Sequence, residues 1–352
     1  MKWKNILFSI GHWETWPYMV KYIPLAPIWL FYCLRARSLW FFTPSNPTIT
    51  FGGFEGEPKK EIYSQLPPGS YPYSIYISPL TPFAEVEKLV SLHSFEWPFC
   101  VKPDVGMMGF MFRKIYSVDK LEEYHRKMPV NYIIQQLVTY PLEVSVFYYR
   151  LPNERKGTIT GFLKKEFLEV TGDGQSTLLQ LMLDYERVRF RIEEMKMKHR
   201  ESLDKIIPGG EKYCLSYALN LSRGGRLVSL AAEIDERLVN VFDELGNYTK
   251  QFYYGRYDIK CDSIEALKAG KNFSILEYNG SGAEPHHAYG NGNTLLQAHK
   301  IFLHHWKILY RISKYNNDHG IRYWKFREGW LFLKNAKRHF KILRQLDIET
   351  EL

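Results

Sequence analysis

Apolar and polar positions change period several times along this 352-residue chain. Residues 74–78 alternate apolar and polar as a short strand does, between proline-rich turns at 67–72 and 79–82. From residue 82 to about 93 the spacing becomes helical, with Val86, Leu89 and Val90 on one face. Residues 97–102 and 110–115 then read as strands about a glycine-containing turn, followed by a helix near 118–127 and a strand at 132–136. Residues 141–150 and 157–170 are strand-rich and predict an antiparallel meander. Residues 177 to about 205 read as one long helix dense in mixed charges, a solvated surface element. Strands return at 214–221 and 227–230, a helix covers about 234–245, and two strands follow at 254–260 and 273–278. The order predicts a mixed α+β fold of two or three packed subdomains.

Composition refines this without redirecting it. An apolar share of 45% and a charged share of 24% are ordinary for a globular protein and exclude disorder and coiled coil. Cys33, Cys100, Cys214 and Cys261 are far apart and form no C-x-x-C pair, which favours reduced, buried thiols over a disulfide frame or a zinc site. The chain therefore reads as cytoplasmic. Residues 9–16 carry Gly11, His12 and Glu14, which breaks any signal-peptide pattern. The longest apolar stretch, residues 22–34, holds Pro24 and Pro27 and is shorter than the about 20 residues a span needs. A net charge of +9 suits an anionic partner such as ATP or anionic lipid, and no nucleic-acid motif accompanies it.

The chemistry concentrates in Arg256-Tyr257-Asp258 and, nineteen positions on from Asp258, Glu277-Tyr278-Asn279. Each triplet lies in a predicted strand, so alternation puts Arg256 with Asp258 on one face and Glu277 with Asn279 on one face. If the strands are neighbours, three oxygen donors converge, two of them charged, a set that suits magnesium bound with polyphosphate. Arg256 offers a planar fork for a carboxylate, a phosphate or a tetrahedral species. The plainer reading makes Asp258 and Glu277 surface carboxylates, one of them paired with Arg256.

These residues look like the magnesium-binding part of the ATP-grasp superfamily, and they resemble D-alanine–D-alanine ligases and the ligase region of cyanophycin synthetases. The resemblance covers roughly residues 83–300 and implies an α+β ATP-grasp fold, two subdomains gripping ATP. Residues 1–82 would form a small N-terminal α/β substrate-side domain with its own sheet, 83–137 the lid, 138–310 the metal and catalytic subdomain, and 311–352 a basic helical tail. It implies Asp258, Glu277 and Asn279 as ligands to magnesium, two ions in number, with manganese as an alternative. Trp97-Pro98-Phe99-Cys100-Val101-Lys102-Pro103 is similar to the strand whose lysine meets the α- and β-phosphates, which gives that role to Lys102. Residues 104–110, with Gly106 and Gly109, resemble the phosphate-covering loop, although Met107 and Met108 stand where small hydroxyl residues are usual. Residues 132–145 resemble the adenine hinge, with Gln135, Gln136 and Leu137 at the base and Glu143 at the ribose. Glutamine replaces the usual acidic residue there and still accepts through its carbonyl. Lys165 would be a second phosphate contact and Lys59 a weaker candidate.

Further pieces appear in the expected order. Thr171-Gly172-Asp173-Gly174-Gln175-Ser176-Thr177 looks like a turn of cyanophycin-synthetase-like ligases, and its bland reading is a turn with an N-cap from Ser176 or Thr177. Asn220-Leu221-Ser222-Arg223-Gly224-Gly225 resembles the loop near the acyl phosphate, which makes Arg223 a catalytic candidate beside Arg256. A plain hairpin turn fits it equally well. His286 and His287 lie where the family places acceptor-side residues, but read as solvated. The resemblance implies an ATP-dependent carboxylate–amine ligase acting through an acyl phosphate on small-molecule or peptide substrates. The alternatives are a kinase with the same grip on ATP and a membrane-surface module with an inert pocket. Residues 322–344 hold eight Lys or Arg against Glu328 alone, with Phe332, Ala336, Phe340 and Leu343 at helical spacing. Such a helix either lies peripherally on the anionic inner membrane surface or packs its stripe on the core.

Overall fold

The computed structural model describes residues 13–185, 188, 192–216, 225–289 and 291–350. A first sheet joins β1 (Ser74–Ile77), β2 (Phe99–Pro103), β3 (Arg113–Ile115) and β4 (Tyr132–Gln135) in the order β1-β4-β2-β3. All three pairings are antiparallel. Helices α1 (Ala26–Ala36) and α2 (Lys59–Tyr63) precede it in the chain, and α3 (Phe83–Leu92) and α4 (Val118–Lys127) cover it. Val86, Val90, Leu121 and Tyr124 pack there against Phe99, Val101 and Ile134. Helix α4 begins at Ser117, whose side chain accepts from the Lys120 amide, the N-cap that stops the strand before it.

The second sheet is larger. It joins β5 (Leu142–Tyr149), β6 (Thr158–Glu166), β9 (Arg226–Ser229), β10 (Tyr254–Cys261) and β11 (Phe273–Asn279) in the order β11-β10-β5-β6-β9, again antiparallel throughout. The intervening pair, β7 (Leu168–Thr171) and β8 (Lys212–Ser216), makes its own hairpin with a separate apolar cluster around Leu178 and Met182. One face of the large sheet is apolar. Val144, Val146, Tyr257, Ile259 and Tyr278 bury there against Leu238 and Phe242 of α5 (Glu236–Asn247). Strand alternation turns Glu143, Ser145, Arg256, Asp258, Glu277 and Asn279 to the opposite face. Two long helices close the chain, α6 (Leu295–Asp318) and α7 (Phe326–Glu349).

The α+β expectation agrees with this architecture, and most strands lie within two residues of where they were expected. Four differences have physical causes. The strand at 74–77 belongs to no sheet of the leading segment: it pairs with β4 at the edge of the first sheet, and the described residues before it are helical or irregular. The single helix expected over 177–205 is broken. Thr177 caps it with a capping box to Gln180, but Tyr185 turns extended after one short helix (Leu178–Asp184), and another helix covers Ile192–Lys198. The boundary at 310/311 falls inside α6, one continuous helix. In α7 the stripe at Ala336, Phe340 and Leu343 is buried in the core of the first sheet, so it is not available to lipid. Part of the strand expected at 214–221 lies outside the described residues.

Candidate active site

β10 and β11 are neighbours, and their register decides what meets what. Asp258 stands opposite Glu277 and Arg256 opposite Asn279. Directly opposed residues of an antiparallel pair project to the same side, so all four side chains share one face. The register slips by one between Asp258 and Ile259, which leaves Leu276 as a bulge residue on β11. Its carbonyl is used from two directions: the Tyr63 hydroxyl donates to it at 2.7 Å and Lys102 Nζ at 3.4 Å. The bulge thus ties the large sheet to α2 and to β2 of the first sheet.

Around Asp258 the face is one connected ion network. Lys165 of β6 lies 3.0 Å from Asp258 and 3.1 Å from Glu143 of β5. Arg256 donates to both Asp258 oxygens at 3.3 Å through Nε and Nη2, and Asn279 Nδ2 donates to Asp258 Oδ2 at 3.4 Å. Burial alone would raise the Asp258 pKa, but the Arg256 and Lys165 cations outweigh it and hold the carboxyl well below its usual range. Burial works against the charge on Lys165 too, yet Asp258 and Glu143 leave its pKa raised. Arg256 Nη1 donates to the Glu284 carbonyl at 3.0 Å and to His286 Nε2 at 3.2 Å. A guanidinium has only donors, so His286 keeps its lone pair on Nε2 and its proton on Nδ1. Burial and Arg256 push the His286 pKa well down, which keeps the ring neutral. Its Nδ1 is buried and meets no hydrogen-bond partner among the described residues.

His286 and His287 are therefore half-buried with their Nδ1 atoms inside the protein, and are not the freely solvated side chains expected. His287 packs over Gly161, where an added Cβ would stand 2.2 Å from its Nδ1, and its ring centroid is 5.2 Å from that of His305 on α6. Burial brings its pKa down to about 4.

A second group of charges lies around Glu277. Lys59 of α2 is buried, and its Nζ donates to the Asp104 carbonyl at 3.3 Å. Burial lowers the pKa of both Lys59 and Lys102, while Glu277 pulls each upward. Burial and the nearby Glu277 carboxylate raise the Glu57 carboxyl to about 7, against its own backbone hydrogen bond and Lys59. Lys59 was the weak candidate of the sequence. The proline at 58 that sets the helix start is the local signal, but only the fold brings Lys59 beside Lys102 and Glu277.

The loop after β2 is held at its two ends. His339 of α7 donates through Nε2 to the Val105 carbonyl at 2.8 Å, and the Met111 amide donates to Asp347 of α7 at 2.8 Å. Between them Met108, Gly109 and Met111 are left-handed, at φ 55°, 74° and 56°. Gly106 lies against Lys59, whose Nζ would be 3.4 Å from an added Cβ. On the hinge, Gln135 is buried and its amide donates to Tyr63 Oη at 3.1 Å and Ser74 Oγ at 2.8 Å. Gln136 is exposed and Leu137 half-buried. Arg223 lies outside the described residues.

Among the described residues no three His, Cys, Asp or Glu side chains cluster closely enough to hold a metal alone. The set Asp258, Glu277 and Asn279 suits an ion that takes the rest of its shell from water and phosphate, as magnesium does. No family model matches the chain, and no curated protein does. Among solved structures it is similar to a bifunctional glutathione synthetase from Pasteurella multocida, at 13% identity and a TM-score of 0.43. That match covers 68% of this chain and 34% of the synthetase, so the chain spans about a third of it. It is also similar to a D-alanine–D-alanine ligase from Bacillus anthracis, at 16% identity and a TM-score of 0.38, over 74% of this chain and 67% of that one. A VanG D-Ala:D-Ser ligase from Enterococcus faecalis matches at 13% identity and a TM-score of 0.37, over 78% and 63%.

Proposed function

We propose that the protein is an ATP-dependent carboxylate–amine ligase of the ATP-grasp kind, working through an acyl phosphate. One observation carries the reading: Arg256, Asp258, Glu277 and Asn279 share one sheet face, and lysines from three other elements, Lys59, Lys102 and Lys165, stand around it. A polyphosphate needs such a concentration of cations, and desolvated cations act more strongly than solvated ones.

In this reading ATP lies between the two sheets, with its adenine toward the hinge at 135–137 and its ribose toward Glu143. Lys59 and Lys102 bind the phosphates from the first-sheet side, and the backbone about Gly106 and Gly109 covers them and excludes water. Lys165, released from Asp258, turns to phosphate. Magnesium held by Asp258, Glu277 and Asn279 would neutralise phosphate charge as the γ-phosphoryl group leaves. The substrate carboxylate attacks the γ-phosphorus, releasing ADP and forming an acyl phosphate. An amine then attacks the acyl carbon and phosphate departs. Arg256 steadies the tetrahedral oxyanion, and the neutral His286 ring, accepting from Arg256 through Nε2, holds the guanidinium in place.

The test is a panel of carboxylates and amines assayed for ADP and phosphate, with mass spectrometry of the product. Phosphate release that requires both partners, with an amide as product, supports the ligase. ADP formed with a stable phosphorylated product and no amine requirement would replace it with a kinase.

A further inference from the structure

Between Glu14 and Glu55 the chain has no aspartate or glutamate, and its cations there are Lys21, Arg35 and Arg37. The helix Tyr18–Tyr22 and α1 follow each other along the surface of this stretch. Their inner sides pack well: Tyr22 and Leu25 on the start of α6, and Trp29, Tyr32 and Cys33 on Phe41 and Tyr310. Their outer sides are apolar as well. Met19 is 64% exposed, Ile23 58%, Leu30 55%, Phe31 51% and Leu34 78%. A helix that is apolar all round belongs inside a protein or against lipid, and this one is half outside.

The rim carries aromatic rings and arginines. The Arg35 guanidinium sits 6.0 Å from the centre of the Phe31 ring, and Arg37 follows at the left-handed end of α1. Trp40 stacks at 6.4 Å on Phe326, which stacks in turn on the exposed Trp330. Among the described residues no helix is long and apolar enough to cross a membrane.

We propose that Tyr18–Tyr22 and α1 dock the protein on an anionic bilayer, with Ile23, Leu30, Phe31 and Leu34 among the acyl chains and Arg35 and Arg37 at the headgroups. A second copy of the chain fits this face poorly. The segment offers no acid that a second copy could set against Arg35 and Arg37, whereas lipid phosphates can pair with both. The surface also reaches the candidate active site: Tyr22 donates to Glu284 Oε1 at 2.7 Å, and the Glu284 carbonyl accepts from Arg256. The docking inference stands on exposure and charge and is independent of the reaction proposed above.

The experiment is co-sedimentation of the full chain with vesicles of phosphatidylcholine alone or mixed with phosphatidylglycerol. The expected result is pelleting with the mixed vesicles, weakened by salt. The variant L30E/F31E/L34E should partition at least about tenfold less, since each buried side chain of this size contributes more than that factor. These positions are exposed, so an unchanged thermal melt will show that the variant folds. A wild type that stays in solution, or a variant that pellets equally, overturns the proposal. So does light scattering that finds a dimer dispersed by the same three substitutions without any lipid binding, which would make the face a contact between copies.

Discussion

On β10 the charges around Asp258 already have partners. Asp258 is held by Arg256, Lys165 and Asn279, and Lys165 spans Asp258 and Glu143. The loop after β2 is the opposite case. Its backbone is anchored near both ends, by His339 at Val105 and by Asp347 at Met111, while Gly106 and Gly109 carry no side chain. The first region is a set of charges positioned on strands before any ligand arrives, in which Lys165 alone has to change partner, and such a region stabilises developing charge with little reorganisation. In the proposed reaction the second would be a cover whose contacts are remade on each turnover. The large sheet is therefore expected to govern chemistry and the loop to govern nucleotide affinity.

The severest way to break this comparison is Asp258→Asn. The amide keeps the shape but loses the charge that Arg256 and Lys165 surround. If phosphate charge is neutralised there, several kcal/mol of transition-state stabilisation go, about 10³-fold in ATP turnover. Retention of turnover within threefold would remove the large sheet from the mechanism. The same variant has a readout in stability. Because the Asp258 pKa is depressed on folding, its contribution is present above the unfolded value of 3.8 and is lost as pH falls below that toward the native value. Wild type should lose stability more steeply than Asp258→Asn in acid melts below about pH 4.

Next in size is Lys102→Met, expected to lower kcat/KM for ATP by roughly 10²-fold, with Lys59→Met close behind. A rise in KM with kcat nearly kept would place both lysines in ground-state binding of the nucleotide. If neither variant changes KM, the group facing Glu277 belongs to another ligand.

Lys102 and Lys59 also show where the sequence is readable. Lys102 ends a recognisable strand. Lys59 sits in a five-residue helix with no periodicity of its own, and its role depends on a fold that brings it to Glu277 across more than 200 residues. The Arg256–Asp258 and Glu277–Asn279 pairs were legible because strand alternation is local and the two strands are consecutive. The bulge at Leu276 was not, because it is visible only once both strands are aligned. Helix α6 was missed although Thr294 and Gln297 form its capping box and Ala298, Phe302, His305 and Ile312 mark its buried face. Its many histidines, lysines and tyrosines blur the apolar stripe. Tyr185 stopped the long charged helix without any glycine or proline to announce it.

The tail helix offers a milder test. Asp347→Ala removes the acceptor from the Met111 amide and the partner of Arg113, which lies 2.9 Å away, from a position remote from the nucleotide. A loop with one looser end should raise KM for ATP by about three- to tenfold and leave kcat within twofold, since misplacement of a covering group is felt through geometry. A change in kcat alone would mean that α7 acts on the chemistry and not on the cover.

The smallest effects separate the two glycines of the loop. Gly109 has φ +74°, and an added Cβ would meet nothing within 4 Å. Gly109→Ala therefore costs only the left-handed backbone, about 1 kcal/mol, read as a small drop in the melting temperature of the ligand-free protein. Gly106 has no positive φ, but its Cβ would stand 3.4 Å from Lys59 Nζ. Gly106→Ala should leave the melt unchanged and displace the ammonium, raising KM for ATP by a factor of about two to five. If the two substitutions exchange these signatures, with Gly109 changing KM and Gly106 changing stability, then Lys59 is not a nucleotide contact. The loop would then be a structural turn, and the cation group would have to be explained by the large sheet alone.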